Sequence, residues 1–85
     1  HLAKTIISPN PSNGNFILLL GQKVKEDLFI FITDQTGKTL FSSKILKGDS
    51  SEPISINLAN KISRGLYNIS GISRGFVFNK KILVK

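Results

Sequence analysis

The sequence predicts an all-β fold, a seven-stranded antiparallel immunoglobulin-like β-sandwich, on three observations. Apolar residues recur with a period of two, as in Ile54-Ser55-Ile56-Asn57-Leu58, the pattern of a strand with one buried face. Val, Ile, Thr, Phe and Tyr dominate the apolar runs, as a pleated, half-buried surface prefers. Turn-forming clusters separate the runs at intervals of about ten residues, the spacing of a sandwich of short strands.

Each element follows in order. The first strand is expected over 3–8, and Pro9-Asn10-Pro11-Ser12-Asn13-Gly14 ends it. Two prolines within three residues fit neither a helix nor a central strand. Asn13-Gly14 then tolerates the positive φ of a turn. The second strand is expected over 15–20 and the third over 27–34. In the third, Leu28, Ile30 and Ile32 share one face and Phe29 and Phe31 the other. That predicts a central strand at least partly covered on both faces. Gln35-Thr36-Gly37-Lys38 reads as a hairpin turn with Gly37 left-handed, leading into a fourth strand over 39–46. A looser polar loop from Gly48 to Pro53 precedes the fifth strand, 53–58. Ala59 to Gly65 has room for one helical turn and no more. The sixth strand, 65–72, turns at Ser73-Arg74-Gly75 into the seventh, 76–84. Cys and Trp are absent, so the hallmarks of antibody domains are missing and only the architecture is implied.

Composition narrows function. Eighty-five residues form one domain, 1–85, with residues 1–4 reading as the end of a linker from something upstream. A chain of this size buries only about 60% of its unfolded surface, leaving a thin core and little room for a water-excluding cleft. Without Cys there are no disulfides, thiolate zinc sites or cysteine nucleophiles. His1, at the first position, is the one imidazole, which sets aside Ser-His-Asp chemistry. Glu26, Asp27, Asp34, Asp49 and Glu52 all sit beside turns, where solvation explains them. Asp49, Ser50, Ser51 and Glu52 gather oxygens in one loop, but lack the alternating carboxylates and bend glycine of a calcium loop. No enzyme activity, catalytic residue, metal or cofactor is expected. No run of 18 apolar residues exists to span a membrane as a helix, and the start does not read as a signal peptide.

Twelve Lys and Arg against five Asp and Glu give a net charge of +7. The cations are dispersed and nearly all Lys, with no aromatic–basic interleaving, so nucleic acid is not an expected partner. Lysines along sheet edges also discourage edge-to-edge pairing. The final run Asn79-Lys80-Lys81-Ile82-Leu83-Val84-Lys85 is an apolar strand flanked and ended by Lys, placed where a partner can reach it.

Together the motifs resemble a known family. Ser8-Pro9-Asn10-Pro11-Ser12-Asn13-Gly14-Asn15-Phe16 resembles the opening Pro-Asn-Pro…Gly motif of C-terminal sorting domains of the type IX (Por) secretion system of Bacteroidota. Ile30 to Lys38 is similar to that family's hairpin, in which Asp is followed three residues later by Gly and a basic residue. Ile56-Asn57-Leu58-Ala59 followed by Gly65-Leu66-Tyr67 resembles its next segment, and Gly75 through Lys85 its closing strand. Four ordered motifs cover nearly all 85 residues.

The resemblance implies a non-catalytic secretion signal at the end of a larger cargo protein in the same chain. It implies recognition by the type IX translocon in the outer membrane. Removal by a sortase for surface anchoring would follow, leaving the cargo secreted or on the cell surface after passage through the periplasm. The family-motif positions are Pro9, Asn10, Pro11, Gly14, Asp34, Gly37, Gly65, Tyr67, Gly75, Lys80, Lys81 and Lys85. Pro9 to Gly14 also shape the first turn, and Gly65 with Tyr67 is expected to set a tyrosine corner. Two departures stand out: Arg74-Gly75 replaces the family's usual Asn-Gly or Asp-Gly, and in the sixth strand Asn68 and Ser70 interrupt the apolar run while Gly71 adds slack. An immunoglobulin-like accessory module for carbohydrate or surface adhesion is the alternative, although a sugar platform of Trp and Tyr is missing. A structural spacer is a third reading.

Overall fold

The computed structural model describes residues 5–21, 26–46 and 53–85. The predicted beginning of the first strand at residues 3 and 4, the linker at 1–4 and the loop with Asp49 to Glu52 lie outside the described residues. Seven strands form among those described: β1 (Ile6–Ser8), β2 (Asn15–Leu19), β3 (Leu28–Thr33), β4 (Thr39–Ile45), β5 (Ile54–Asn57), β6 (Gly65–Ser73) and β7 (Phe76–Val84). They build a three-stranded sheet, β1-β2-β5, and a four-stranded sheet, β4-β3-β6-β7, with every neighbouring pair antiparallel. In immunoglobulin lettering this is A-B-E facing C′-C-F-G.

The period of two decides which side chains meet between the sheets. Phe16, Leu18, Ile54 and Ile56 come from the small sheet; Leu28, Ile30, Ile32, Tyr67, Ile69, Phe78, Ile82 and Val84 come from the large one. Leu18, Leu28, Ile30, Ile32 and Ile69 lose all contact with water. Each such aliphatic side chain contributes about 1.5–3 kcal/mol, so the thin core accounts for most of the drive to fold.

β3 is central as expected, between β4 and β6. Its second face is partly covered: Phe31 is half-buried, while Phe29 is 44% exposed with the Lys44 ammonium 5.8 Å from its ring centre. Phe29 and Phe31 occupy these outer positions, where a strand-preferring aromatic needs no complete second layer.

The interruptions in β6 are accommodated by the alternation. Tyr67, Ile69, Gly71 and Ser73 point inward, while Asn68 and Ser70 point out, with the Ser70 hydroxyl donating to Asn79 Oδ1 at 2.7 Å. Gly71 is no slack: it faces Phe78 on β7, whose ring lies where a Cβ would be, 2.0 Å from that position. The β6–β7 turn takes positive φ at Gly75 (78°) only, so Arg74 meets no steric obstacle in the first turn position. Between β5 and β6 the backbone makes one turn, in which Lys61 and Ile62 N–H groups both donate to the Leu58 carbonyl, at 2.9 and 3.3 Å.

Candidate recognition surface

The Pro-Asn-Pro segment leaves the small sheet and docks on the large one. Both its Ser8-Pro9 and Asn10-Pro11 peptide bonds are cis. Beyond them Ser12 forms a parallel bridge to Val84: Ser12 N–H donates to the Leu83 carbonyl and Lys85 N–H to the Ser12 carbonyl, each at 2.9 Å. One step earlier, the Asn10 side chain acts as a second backbone unit. Its Nδ2 donates to the Lys81 carbonyl at 3.1 Å, and its Oδ1 accepts from Leu83 N–H at 3.0 Å. An amide carries the donor and acceptor of a peptide group, which is why Asn closes the strand edge here. Four hydrogen bonds therefore cover the outer edge of β7 between Lys81 and Lys85.

The same segment is tied to the end of β5. Gly14 N–H donates to Ser12 Oγ (3.1 Å), and Asn15 N–H to Asn13 Oδ1 (3.0 Å), closing the loop on itself. Leu58 N–H then donates to the Gly14 carbonyl (2.9 Å) and Ala59 N–H to Asn15 Oδ1 (3.0 Å). Gly14 has φ 108°, and a Cβ there would lie 2.9 Å from both the Cα and N of Ala59. Glycine is required twice over, by its backbone conformation and by the approach of a second chain segment.

Asp34 organises the β3–β4 hairpin. Its Oδ1 accepts from the Thr36 hydroxyl (2.6 Å), Thr36 N–H (2.9 Å) and Lys38 N–H (3.1 Å), while Gly37 N–H donates to its carbonyl (3.1 Å). The Thr36 hydroxyl, reinforced by the Lys38 and Thr36 N–H groups and the Lys38 charge, holds the Asp34 carboxyl below the usual aspartate range. Tyr67 makes the expected corner: its ring is buried and its hydroxyl donates to the Ser63 carbonyl at 2.6 Å.

Register brings these pieces to one end of the sandwich. Gly65 pairs with Val84, Thr33 with Asn68, Asn68 with Lys81, and Asn15 with Asn57. The Pro9–Gly14 loop, the Asp34–Gly37 turn, Gly65, Tyr67 and the end of β7 therefore share that end, and Gly75 alone among the motif positions marks the opposite one. The three lysines do not form one patch. Lys80 is half-buried on the inward face with Phe78 and Ile82, whereas Lys81 and Lys85 are exposed. The Asn10 and Ser12 contacts to β7 were not legible beforehand, because one residue pairing with a strand some seventy positions away leaves no periodic signal.

At the opposite end, Phe29, Ile72 and Val77 form an exposed row across three strands beside a shallow open groove with Glu26, Asp27 and Arg74. Among the described residues no three His, Asp or Glu side chains gather as metal ligands, and no helix is long and apolar enough to cross a membrane.

The family model of the secretion system C-terminal sorting domain matches residues 6–85. The chain belongs to that family. It is a sorting signal of type IX secretion, which implies export of what it is attached to, to the cell surface or the medium. Among solved structures it is similar to PorZ of Porphyromonas gingivalis, described as an essential bacterial surface component of the type IX secretion system. The TM-score is 0.71 at 16% identity, over 95% of this chain but 11% of PorZ, so the likeness is one of fold. No curated protein sequence matches the chain.

Proposed function

We propose that residues 1–85 act as one portable address, joined through residues 1–4 to an upstream cargo and read by the type IX translocon. A sortase then separates cargo from domain for surface anchoring. The reading rests on one observation above the others: Asn10 and Ser12 bind the outer edge of β7, so the first and last family motifs form one composite surface with Lys81 and Lys85 exposed on it. Pro9 and Pro11 hold the loop that delivers Asn10. Asp34, Gly37, Gly65 and Tyr67 keep the neighbouring turns in shape, and Lys80 packs its stem inward as the charged head reaches water. The domain contributes a rigid shape, with its chemistry performed on it by others.

The test is a fluorescent reporter fused ahead of residues 1–85 in a bacterium with a working type IX system. Export of the intact fusion, and periplasmic retention once residues 80–85 are removed, are expected. Retention of the intact fusion, or export indifferent to the deletion, overturns the reading.

A further inference from the structure

The last strand is only half covered. Leu83 directs both its N–H and its carbonyl away from β6, toward Asn10 and Ser12. In an antiparallel pair these directions alternate residue by residue, so Lys81, Asn79 and Val77 face the same way. The Lys81 carbonyl is taken by Asn10. The Lys81 N–H and both backbone groups of Asn79 and Val77 have no partner among the described residues, and the Val77 side chain is 67% exposed beside them. The edge accepts strand-like partners, since Ser12 already adds to it as a short parallel bridge.

Charge says which kind of strand fits. All five carboxylates lie between residues 26 and 52, so β1, β2, the Pro-Asn-Pro loop, β5, β6 and β7 contain none. The open stretch therefore combines free peptide groups with Lys80 half-buried on the inward face, Lys81 exposed on the outer one, and no acidic residue on its own strand. An inward-leaning charge at an edge repels chains of the same sign, including a second copy of this one. An acidic strand removes that penalty.

We infer that the Val77–Lys81 edge of β7 is a docking strand for an extended, acidic segment of a partner protein, which adds to the four-stranded sheet in line with Ser12. Main-chain bonds supply the affinity and the lysines the selectivity. The inference rests on the sorting reading only for the identity of the partner as part of the secretion machinery; the edge chemistry stands without it.

The experiment titrates the isotope-labelled chain with a short synthetic peptide in which Val and Glu alternate, followed by amide NMR and hydrogen exchange. Shifts and new protection confined to Val77, Asn79 and Lys81 are expected, weakening as salt is raised. The same peptide with Lys in place of Glu should bind at least about tenfold more weakly. Val77→Pro removes one outward N–H at a position where an edge strand tolerates proline, and should abolish the effect. Lys81→Glu keeps every backbone group and should weaken binding by a similar factor, so the outcome does not hang on one variant. Absence of binding, equal binding of the Lys peptide, or shifts on β4 instead of β7 overturn the proposal. Failure of the intact reporter to be exported, with peptide binding as described, overturns the sorting reading and leaves this one standing.

Discussion

Replacing Gly14 by Ala perturbs the joint between the first and third motifs. Two costs follow from the geometry. At φ 108° an L-residue is strained, by roughly 1–2 kcal/mol. The new Cβ also falls 2.9 Å from Ala59 Cα and N and 3.1 Å from the Leu58 carbonyl carbon, all backbone atoms that cannot swing away. Forcing them apart adds roughly 1–3 kcal/mol of overpacking and stretches the Leu58 N–H bond to Gly14. The total is about 2–5 kcal/mol, a fall in Tm of roughly 10–25 °C for a domain of this size. Gly37→Ala is the matched control: φ there is 90°, but nothing lies within 4 Å of the added Cβ. It should cost only the backbone part, about 1–2 kcal/mol. The entropy that Ala removes from the unfolded chain is common to both and cancels in the difference. Urea denaturation followed by far-ultraviolet circular dichroism measures it. If Gly14→Ala is no worse than Gly37→Ala, the loop does not seat against Leu58 and Ala59, and the linkage of the two motifs is wrong.

Three further outcomes are expected. Asn10→Ala removes two hydrogen bonds to β7, costing about 1–2 kcal/mol and raising the hydrogen-exchange rate of the Leu83 amide; unchanged exchange there contradicts the edge contact. Tyr67→Phe deletes the bond to the Ser63 carbonyl and should cost about 1 kcal/mol in the same urea titration, with no loss meaning that the corner bond is idle. The Asp34 carboxyl is held low in the folded state, so its contribution is present above its unfolded pKa near 3.8 and disappears as pH falls through the folded value. Thermal melts between about pH 2 and 5 should show a steeper acid loss for the wild type than for Asp34→Asn; parallel curves refute the role of the Thr36 and Lys38 bonds.

Much of the fold is written locally. Alternation placed the strands from β2 onward to within a residue at each end, as for β3 (expected 27–34, found Leu28–Thr33) and β7 (76–84, Phe76–Val84). β1 instead begins at Ile6 with Thr5 outside it, later than the expected start at residue 3. Turn chemistry placed Gly37 and Gly75, and Tyr67 found its corner. What stayed hidden is long-range. The β7 edge is closed by a side-chain amide from Asn10, and that contact carries no signature in spacing or composition. Gly71 read as slack because its partner, the Phe78 ring, is fixed only once β6 and β7 are paired in register. The lysines illustrate the reverse. Consecutive positions on a strand point to opposite faces, so Lys80 turns inward while Lys81 stays exposed, and that separation follows from the sequence order alone.

The most direct test of the sorting reading compares two strains that differ only in the type IX translocon. With a reporter fused ahead of residues 1–85, protease added to intact cells should digest the reporter in the competent strain and spare it in the deficient one. Equal digestion in both strains, or none in either, contradicts the account.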